Sequence, residues 1–137
     1  MILLDTNVIS ELIRPKPDEG VTKWLDALDP AAVATTAITA AELFYGIARL
    51  PSGKRRQRLN EAIHGLIEDD LGGRVESFDA AAAARYAALV SDRDKAGRPI
   101  SMADAQIAAI CLNLRATLAT RNTNDFEGTG ISLLNPW

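Results

Sequence analysis

Short apolar runs alternate with longer helical patterns along nearly the whole chain, and this alternation restricts the possible folds more than any other feature. We predict strands at Ile2–Leu4, Ala32–Thr36, Val75–Phe78, Thr117–Thr120 and Ile131–Leu134. We predict helices at Val8–Arg14, Val21–Leu28, Thr39–Leu50, Lys54–Leu71, Asp79–Ala96 and Met102–Leu114. Strands and helices in alternation indicate an α/β fold, in which a parallel sheet is covered by helices on both faces.

Length and composition indicate one domain spanning residues 1–137. The chain has 137 residues, of which 47% are hydrophobic, and no linker or repeat divides it. Cys111 is the only cysteine and lies in an apolar run, which indicates a buried hydrophobic residue rather than a nucleophile. The first residues become acidic too soon for a secretory signal, and no apolar run reaches the roughly 20 residues of a membrane span. We therefore expect a cytoplasmic protein without a membrane partner.

Four acidic residues stand near the places where a parallel sheet binds ligands, which are the carboxyl ends of its strands. Asp5 ends the first predicted strand, Glu42 follows the second, and Asp125 follows the fourth. Asp104 lies in the first turn of the helix that precedes the fourth strand. That helix begins at the same edge of the sheet only if the segment Gly97–Ser101 folds back toward it.

Each of these acids also has a structural explanation, which the sequence leaves open. Thr39–Glu42 has the spacing of a capping box, and Ser101–Asp104 has it in a looser form. Asp5 and Asp125 are of the residue type that caps helices and forms turns. The two roles are compatible, because a carboxylate at a helix N-terminus is stabilised by the helix dipole and can face a metal from there.

Convergence of the four acids would define the chemistry of the site. Clustered carboxylates repel one another and favour a bound cation. A set of oxygen ligands selects a hard ion, Mg²⁺ or Mn²⁺, which neutralises phosphate charge and activates water for phosphodiester cleavage. The net charge of −3 is unusual for a nucleic-acid-binding protein, but it is reasonable if the negative charge is concentrated in one pocket. The basic cluster Lys54–Arg58 has two interpretations: it could bind the phosphates of RNA, or it is a solvated helix face, which is the commoner case.

Four motifs, in order, resemble the motifs of PIN domains. They are MILLDTNVISEL, AITAAELFYG, ISMADAQIAA and LATRNTNDF, and the closing LLNPW is similar to the FitB-like branch of VapC toxins. The resemblance implies a three-layer α/β/α fold and a ribonuclease that depends on Mg²⁺, for which Mn²⁺ can substitute. It also implies the toxin role in a type II toxin–antitoxin pair. The implied partners are an RNA substrate, a second copy of the chain, and an antitoxin, a small DNA-binding protein whose basic tail occludes the site.

The resemblance also assigns roles to individual residues. The positions carried over are the catalytic metal ligands Asp5, Glu42 and Asp104 and the supporting polar residues Thr6 and Thr120. The fourth acidic position departs from the pattern, because FitB-like members can carry aspartate where this chain has Asn122. We predict that Asp125, three residues farther on, supplies the catalytic charge and that Asn122 orients water, with both side chains facing the pocket.

Other classes of protein match the sequence less well than a ribonuclease does. A phosphatase of the haloacid dehalogenase type needs a second acid where Asn7 stands and a late acidic pair after a strand, whereas Asp69-Asp70 lies in a predicted helix. A response-regulator receiver needs a lysine where Arg121 follows the fourth strand. A PIN fold that only binds RNA or assembles a complex stays open, although retention of all three core acids favours an enzyme.

Two groups of large side chains have alternative roles. Leu43, Phe44, Ile47 and Leu50 form a stripe on one helix, which serves either the core or a partner surface. Tryptophans stack on bases in some nucleic-acid-binding proteins. Trp24 lies in an amphipathic helix and is expected to pack, whereas Trp137 carries no such signal.

Overall fold

The central layer of the molecule is a parallel sheet of five strands. The computed structural model describes all residues 1–137. The strands lie in the order β3-β2-β1-β4-β5 and are β1 (Ile2–Leu4), β2 (Val33–Thr36), β3 (Val75–Glu76), β4 (Thr117–Ala119) and β5 (Ser132–Leu134). The chain order runs in opposite directions on the two sides of the β1/β4 pair. This pair is therefore the topological switch point, where a crevice forms at the carboxyl ends of the strands.

Successive residues of each strand enter different hydrophobic cores, because side chains of a strand alternate between the two faces of a sheet. The helices are α1 (Thr6–Leu12), α2 (Glu19–Asp26), α3 (Ala37–Ala48), α4 (Lys54–Gly65), α5 (Ala80–Lys95) and α6 (Met102–Leu114). Leu4 and Ala119 pack with α1 to α4 on one face, and Leu3 and Leu118 pack with α5 and α6 on the other. The predicted three-layer α/β/α architecture is confirmed, and no helix has the length and apolar character needed to cross a membrane.

Helix α3 begins two residues earlier than the sequence predicted, because its cap lies upstream. The hydroxyl of Thr36 accepts a hydrogen bond of 3.0 Å from the backbone N–H of Thr39, and the helix begins at Ala37. The predicted Thr39–Glu42 capping box is therefore wrong. Glu42 lies in the second turn of α3, where no capping role explains it.

The long charged helix changes its winding before it ends. After α4, residues 66–70 form a π-helical turn, in which the N–H of Leu71 donates to the carbonyl of Leu66 at 3.0 Å. Bonding at this spacing places Leu66 and Leu71 on the same side of the helix, and both are buried in the core. Gly72 and Gly73 then adopt φ angles of +57° and +75°, which favour glycine and end the helix as predicted.

Candidate active site

Asp5 leaves the end of β1 and is held by several hydrogen-bond donors. One carboxylate oxygen accepts from the N–H of Thr6 at 2.8 Å and thereby caps α1, which begins at that residue. The other oxygen accepts from the hydroxyl of Thr120 at 2.7 Å and from the side-chain amide of Asn7 at 3.3 Å. The residue is only 5% exposed. Asp5 therefore both caps α1 and lies at the topological switch point, so the two roles that the sequence left open are compatible.

Thr120 fixes this corner of the sheet with a hydroxyl group that uses its full hydrogen-bonding capacity. The hydroxyl donates to Asp5 and accepts from the side chain of Asn7 and from the N–H of Asn122, each at 3.1 Å. Asn7 also accepts from the N–H of Arg121 at 3.0 Å. These bonds join the ends of β1 and β4, so Thr120 supports the Asp5 carboxylate from behind the site.

Glu42 reaches the same edge from helix α3. Its carboxylate accepts a hydrogen bond of 2.9 Å from the hydroxyl of Thr6. That hydroxyl also lies 3.3 Å from the hydroxyl of the buried Thr39. Glu42 itself is exposed. Thr6 therefore links the helix that carries Glu42 to the strand end that carries Asp5.

Asp104 arrives through a loop that returns the chain to the active edge. Helix α5 ends before Gly97, whose φ angle of +66° reverses the chain direction. The buried guanidinium of Arg93 donates to the carbonyl of Arg98 at 2.8 Å and to that of Glu127, which ties the loop to the segment after β4. Ser101 then caps α6 by accepting from the N–H of Asp104 at 3.2 Å. The segment Gly97–Ser101 thus folds back, and Asp104 joins the other acids.

The three core acids line one open cavity of about 520 Å³, which we term the acidic cavity. Its walls are polar apart from Trp137. Asn122 lines the cavity, but Asp125 does not. Asp125 is exposed on the short 3₁₀ helix Thr123–Phe126. The structure therefore brings Asn122, rather than Asp125, to the cavity wall, and the two side chains do not share it as predicted.

Burial and mutual repulsion act on the acids of this cavity. Burial raises the pKa of Asp5 above its usual range, and the charge of Glu42 adds to the rise, while the hydrogen bonds from Thr120 and Thr6 oppose it. Burial also raises the pKa of Asp104, and the charges of Asp5 and Asp125 add to it. Asp125 thus acts on the site through its charge. A bound cation would relieve this accumulation of negative charge.

The ligand atoms of the acidic cavity are of the type that a hard metal ion prefers, although the three carboxylates do not surround a common point. Asp5, Glu42 and Asp104 offer only oxygen atoms to the cavity, the ligands that Mg²⁺ and Mn²⁺ prefer. No three acidic side chains form a group that could hold an ion as they stand.

The cavity contains residues that the sequence interpretation did not assign to it. Ser10 and Glu11 reach it from α1, and Arg14 reaches it from the segment just after that helix. Arg121 lies with its guanidinium carbon 4.9 Å from the ring centre of Trp137. Helical spacing from Asn7 was a usable signal for the first three, because they lie three, four and seven positions after it and such positions share a helix face. Trp137 also lines the cavity, which is the position that it would need in order to stack on a base.

Two other interpretations of single residues are confirmed. Trp24 packs against the core beneath α2 and does not reach the acidic cavity. Cys111 is buried, and burial raises the pKa of its thiol to about 12. The thiol therefore stays protonated at neutral pH and serves as a small hydrophobic residue.

The fold and this cavity together define a class of protein: a doubly covered parallel sheet with an acidic, oxygen-lined site at its switch point. The family model described as PIN domain matches residues 2–131 of the chain. The chain is 42% identical to a VapC ribonuclease of Sinorhizobium fredii, over 100% of this chain and 98% of that protein. It is 44% identical to the toxin FitB of Neisseria gonorrhoeae, over 100% of this chain and 99% of FitB.

Solved structures give the same result. The FitAB complex bound to a DNA fragment contains a chain that is 43% identical, with a TM-score of 0.91 and coverage of 100% of this chain and 96% of that one. VapBC2 of Rickettsia felis, bound to a promoter DNA fragment, contains a chain that is 25% identical, with a TM-score of 0.85 and 98% coverage of both. The protein therefore belongs to the PIN-domain family and resembles the VapC and FitB toxins over its whole length.

Proposed function

We propose that the protein is a metal-dependent endoribonuclease and the toxin of a type II toxin–antitoxin pair. The observation that carries the proposal is the convergence of Asp5, Glu42 and Asp104 on one polar cavity at the sheet's switch point. Relatives named as a VapC ribonuclease and a toxin, similar over their full lengths, support it. The cavity offers no serine–histidine or cysteine–histidine pair, because the only histidine and the only cysteine lie elsewhere.

The side chains of the cavity divide the work of such an enzyme. Asp5, Glu42 and Asp104 would hold Mg²⁺ or Mn²⁺, and this ion, when bound, activates water and neutralises phosphate charge. Thr120 and Thr6 hold the carboxylates in place through the hydrogen bonds of 2.7 and 2.9 Å. Arg121 is free of any ion pair and can face the phosphates of an entering RNA from the cavity rim.

Cleavage of a structured RNA by chelator-treated protein tests the proposal. We expect no cleavage in EDTA and full recovery when Mg²⁺ or Mn²⁺ is added in excess. Undiminished cleavage in EDTA would overturn the metal dependence. RNA that binds but stays intact with either metal, at any protein concentration tried, would instead identify a non-catalytic RNA-binding PIN domain.

We also propose an antitoxin surface on helix α3. Leu43 and Ile47 of the predicted stripe are buried in the core, but Phe44 is 37% exposed and its ring stacks on His64 at 5.2 Å between centres. Phe44 lines an open hollow of about 420 Å³ with Ala48 and Arg56, which we term the Phe44 hollow. Solved neighbours such as FitAB are complexes, which supports a protein partner here. A basic tail of that partner would suit the acidic cavity.

The proposal includes a homodimer that acts in the cytoplasm, as the similarity to VapC and FitB suggests. Light scattering on the purified chain should give twice the chain mass at micromolar concentration. A monomer at every concentration up to the solubility limit would remove the dimer from the proposal without touching the ribonuclease.

A further inference from the structure

A second surface depression adjoins the acidic cavity and carries the opposite charge. Arg14 lines the acidic cavity and also lines a neighbouring groove of about 380 Å³. This basic groove is formed by Arg14, Pro15, Lys54, Arg55, Arg58 and Leu59. No acidic residue lines it. A continuous path therefore leads from the carboxylates, past one shared arginine, into a strip of positive charge.

Ion pairing within the fold does not explain most cations of the basic groove. Arg14 forms the one salt bridge of the chain, with Glu11 at 3.2 Å, so Lys54, Arg55 and Arg58 have no acidic partner. Lys54 and Arg55 also stand in the first turn of α4, where the helix dipole opposes positive charge. Lys54 and Arg58 are four positions apart on one helix, a spacing at which like charges repel. A solvated helix face normally mixes charges, whereas this one collects a single sign beside the cavity.

The position of the groove is fixed by the fold rather than by flexible side chains alone. Arg58 donates to the carbonyl of Ile13, at the end of α1, at 3.3 Å. This bond joins the basic helix to the helix that begins at Asp5. An adjoining hollow, which Arg14 and Arg58 also line, contains Asp69 and Asp70 from the turn after α4, so the lining of a single charge sign ends there.

We propose that the basic groove binds the sugar–phosphate backbone of the RNA on one side of the scissile bond and feeds it into the acidic cavity. The inference deepens the proposed ribonuclease function and rests on it. RNA is the occupant that fits, because a polyanion matches a strip of unpaired cations and because the groove continues into the proposed active site. Arg14 stands at the junction and guides the strand from one surface to the other.

Binding of a fluorescein-labelled single-stranded oligoribonucleotide tests the groove separately from catalysis. Titrations are made in EDTA with the Asp104→Asn protein as background, so that no strand is cut. The triple variant Lys54→Gln, Arg55→Gln and Arg58→Gln removes the three unpaired cations. Each phosphate contact on a single strand contributes about 0.7 to the slope of log affinity against log salt concentration. We expect the slope to become shallower by about 2 in the triple variant, a relative change of about 15-fold in affinity between about 50 and 200 mM salt.

A matched variant shows whether position or net charge matters. Lys23→Gln, Arg85→Gln and Lys95→Gln remove the same number of exposed cations from α2 and α5. This control should keep the slope of the background protein. Equal slopes in both triple variants, or a groove variant that keeps its RNA slope and loses binding of the co-expressed antitoxin, would overturn the proposal. If RNA binds through the groove but is never cut with Mg²⁺ or Mn²⁺, the groove stands and the ribonuclease function fails.

Discussion

At the scale of single residues, Asp5 shows that a structural and a functional role can occupy the same carboxylate. One oxygen caps α1 at 2.8 Å, and the other is held by Thr120 at 2.7 Å. Burial of the group raises its pKa despite these donors. Keeping this buried carboxylate charged costs free energy, and a bound cation would offset that cost. The Asp5 carboxylate therefore destabilises the metal-free protein at the position that is best suited to hold a metal.

Asp104→Asn should abolish cleavage and stabilise the metal-free protein. The pKa of Asp104 is raised above its ordinary 3.8, so its contribution to stability is present below that pH and is lost as the pH rises through the folded value. The amide cannot ionise and avoids this loss. We expect a melting temperature roughly 2–5 °C higher in EDTA at pH 7, with no difference at pH 3, and cleavage reduced about 100-fold or more.

Asp5→Asn serves as the comparison for Asp104→Asn. It should also remove cleavage, but its gain in stability should be smaller. The new amide would place an N–H₂ group against the donor of Asn7 or the hydroxyl of Thr120. A metal-free Asp104→Asn protein that melts at a lower temperature than wild type at pH 7 would show that the acid is mainly structural.

Asn122→Asp should tighten metal binding about tenfold, because it adds a carboxylate to a cavity wall that Asn122 already occupies. The matched change Asp125→Asn should have a smaller effect, since Asp125 acts on Asp104 only through its charge. Mn²⁺ titrations followed by calorimetry compare the variants. If Asp125→Asn instead causes the larger change, Asp125 is the fourth ligand and the side chain moves into the cavity when the ion binds.

At the scale of elements, the positions of helix starts decide which residues are available to the site. The sequence pattern predicted Thr39 as the cap of α3 and placed Thr36 in a strand, although both are threonines and local preference does not choose between them. The structure chooses Thr36, because β2 runs to this residue and the helix must begin directly after it. Thr39 is then free to lie beside Thr6 at 3.3 Å.

Thr36→Ala should reduce the free energy of unfolding by about 1 kcal/mol, because the N–H of Thr39 loses its acceptor. Thr36→Ser keeps the hydroxyl and should lose less than half as much. Urea denaturation of the metal-free chain measures both. A full-size loss in the serine variant would assign the effect to the missing methyl group in the core instead of the cap.

At the scale of the whole molecule, the exposed part of α3 is predicted to be a partner surface. Phe44→Ala should weaken binding of the proposed antitoxin at least about tenfold, because a partly exposed ring in a hollow is typical of interface anchors. Tyr45→Ala is the control, since Tyr45 is 65% exposed on the same helix but lies outside the Phe44 hollow. The affinities are measured by binding the purified partner to each variant immobilised on a surface. Equal losses in both variants would locate the interface on the helix without favouring the hollow.

The sequence by itself determined the type and order of the main elements, because these depend on local periodicity. It also placed Asp5 at a strand end, whereas Asp104 was assigned as a core acid through its resemblance to a PIN-domain motif. Asp5 and Asp104 could be named before any contact was known. The tertiary structure alone decided that Asn122 lines the cavity and Asp125 does not, and that Arg14 joins the acidic cavity to the basic groove. Those facts depend on how helices far apart in the chain pack across the sheet. No local pattern carries that information, because the side-chain directions follow from the packing of the whole molecule.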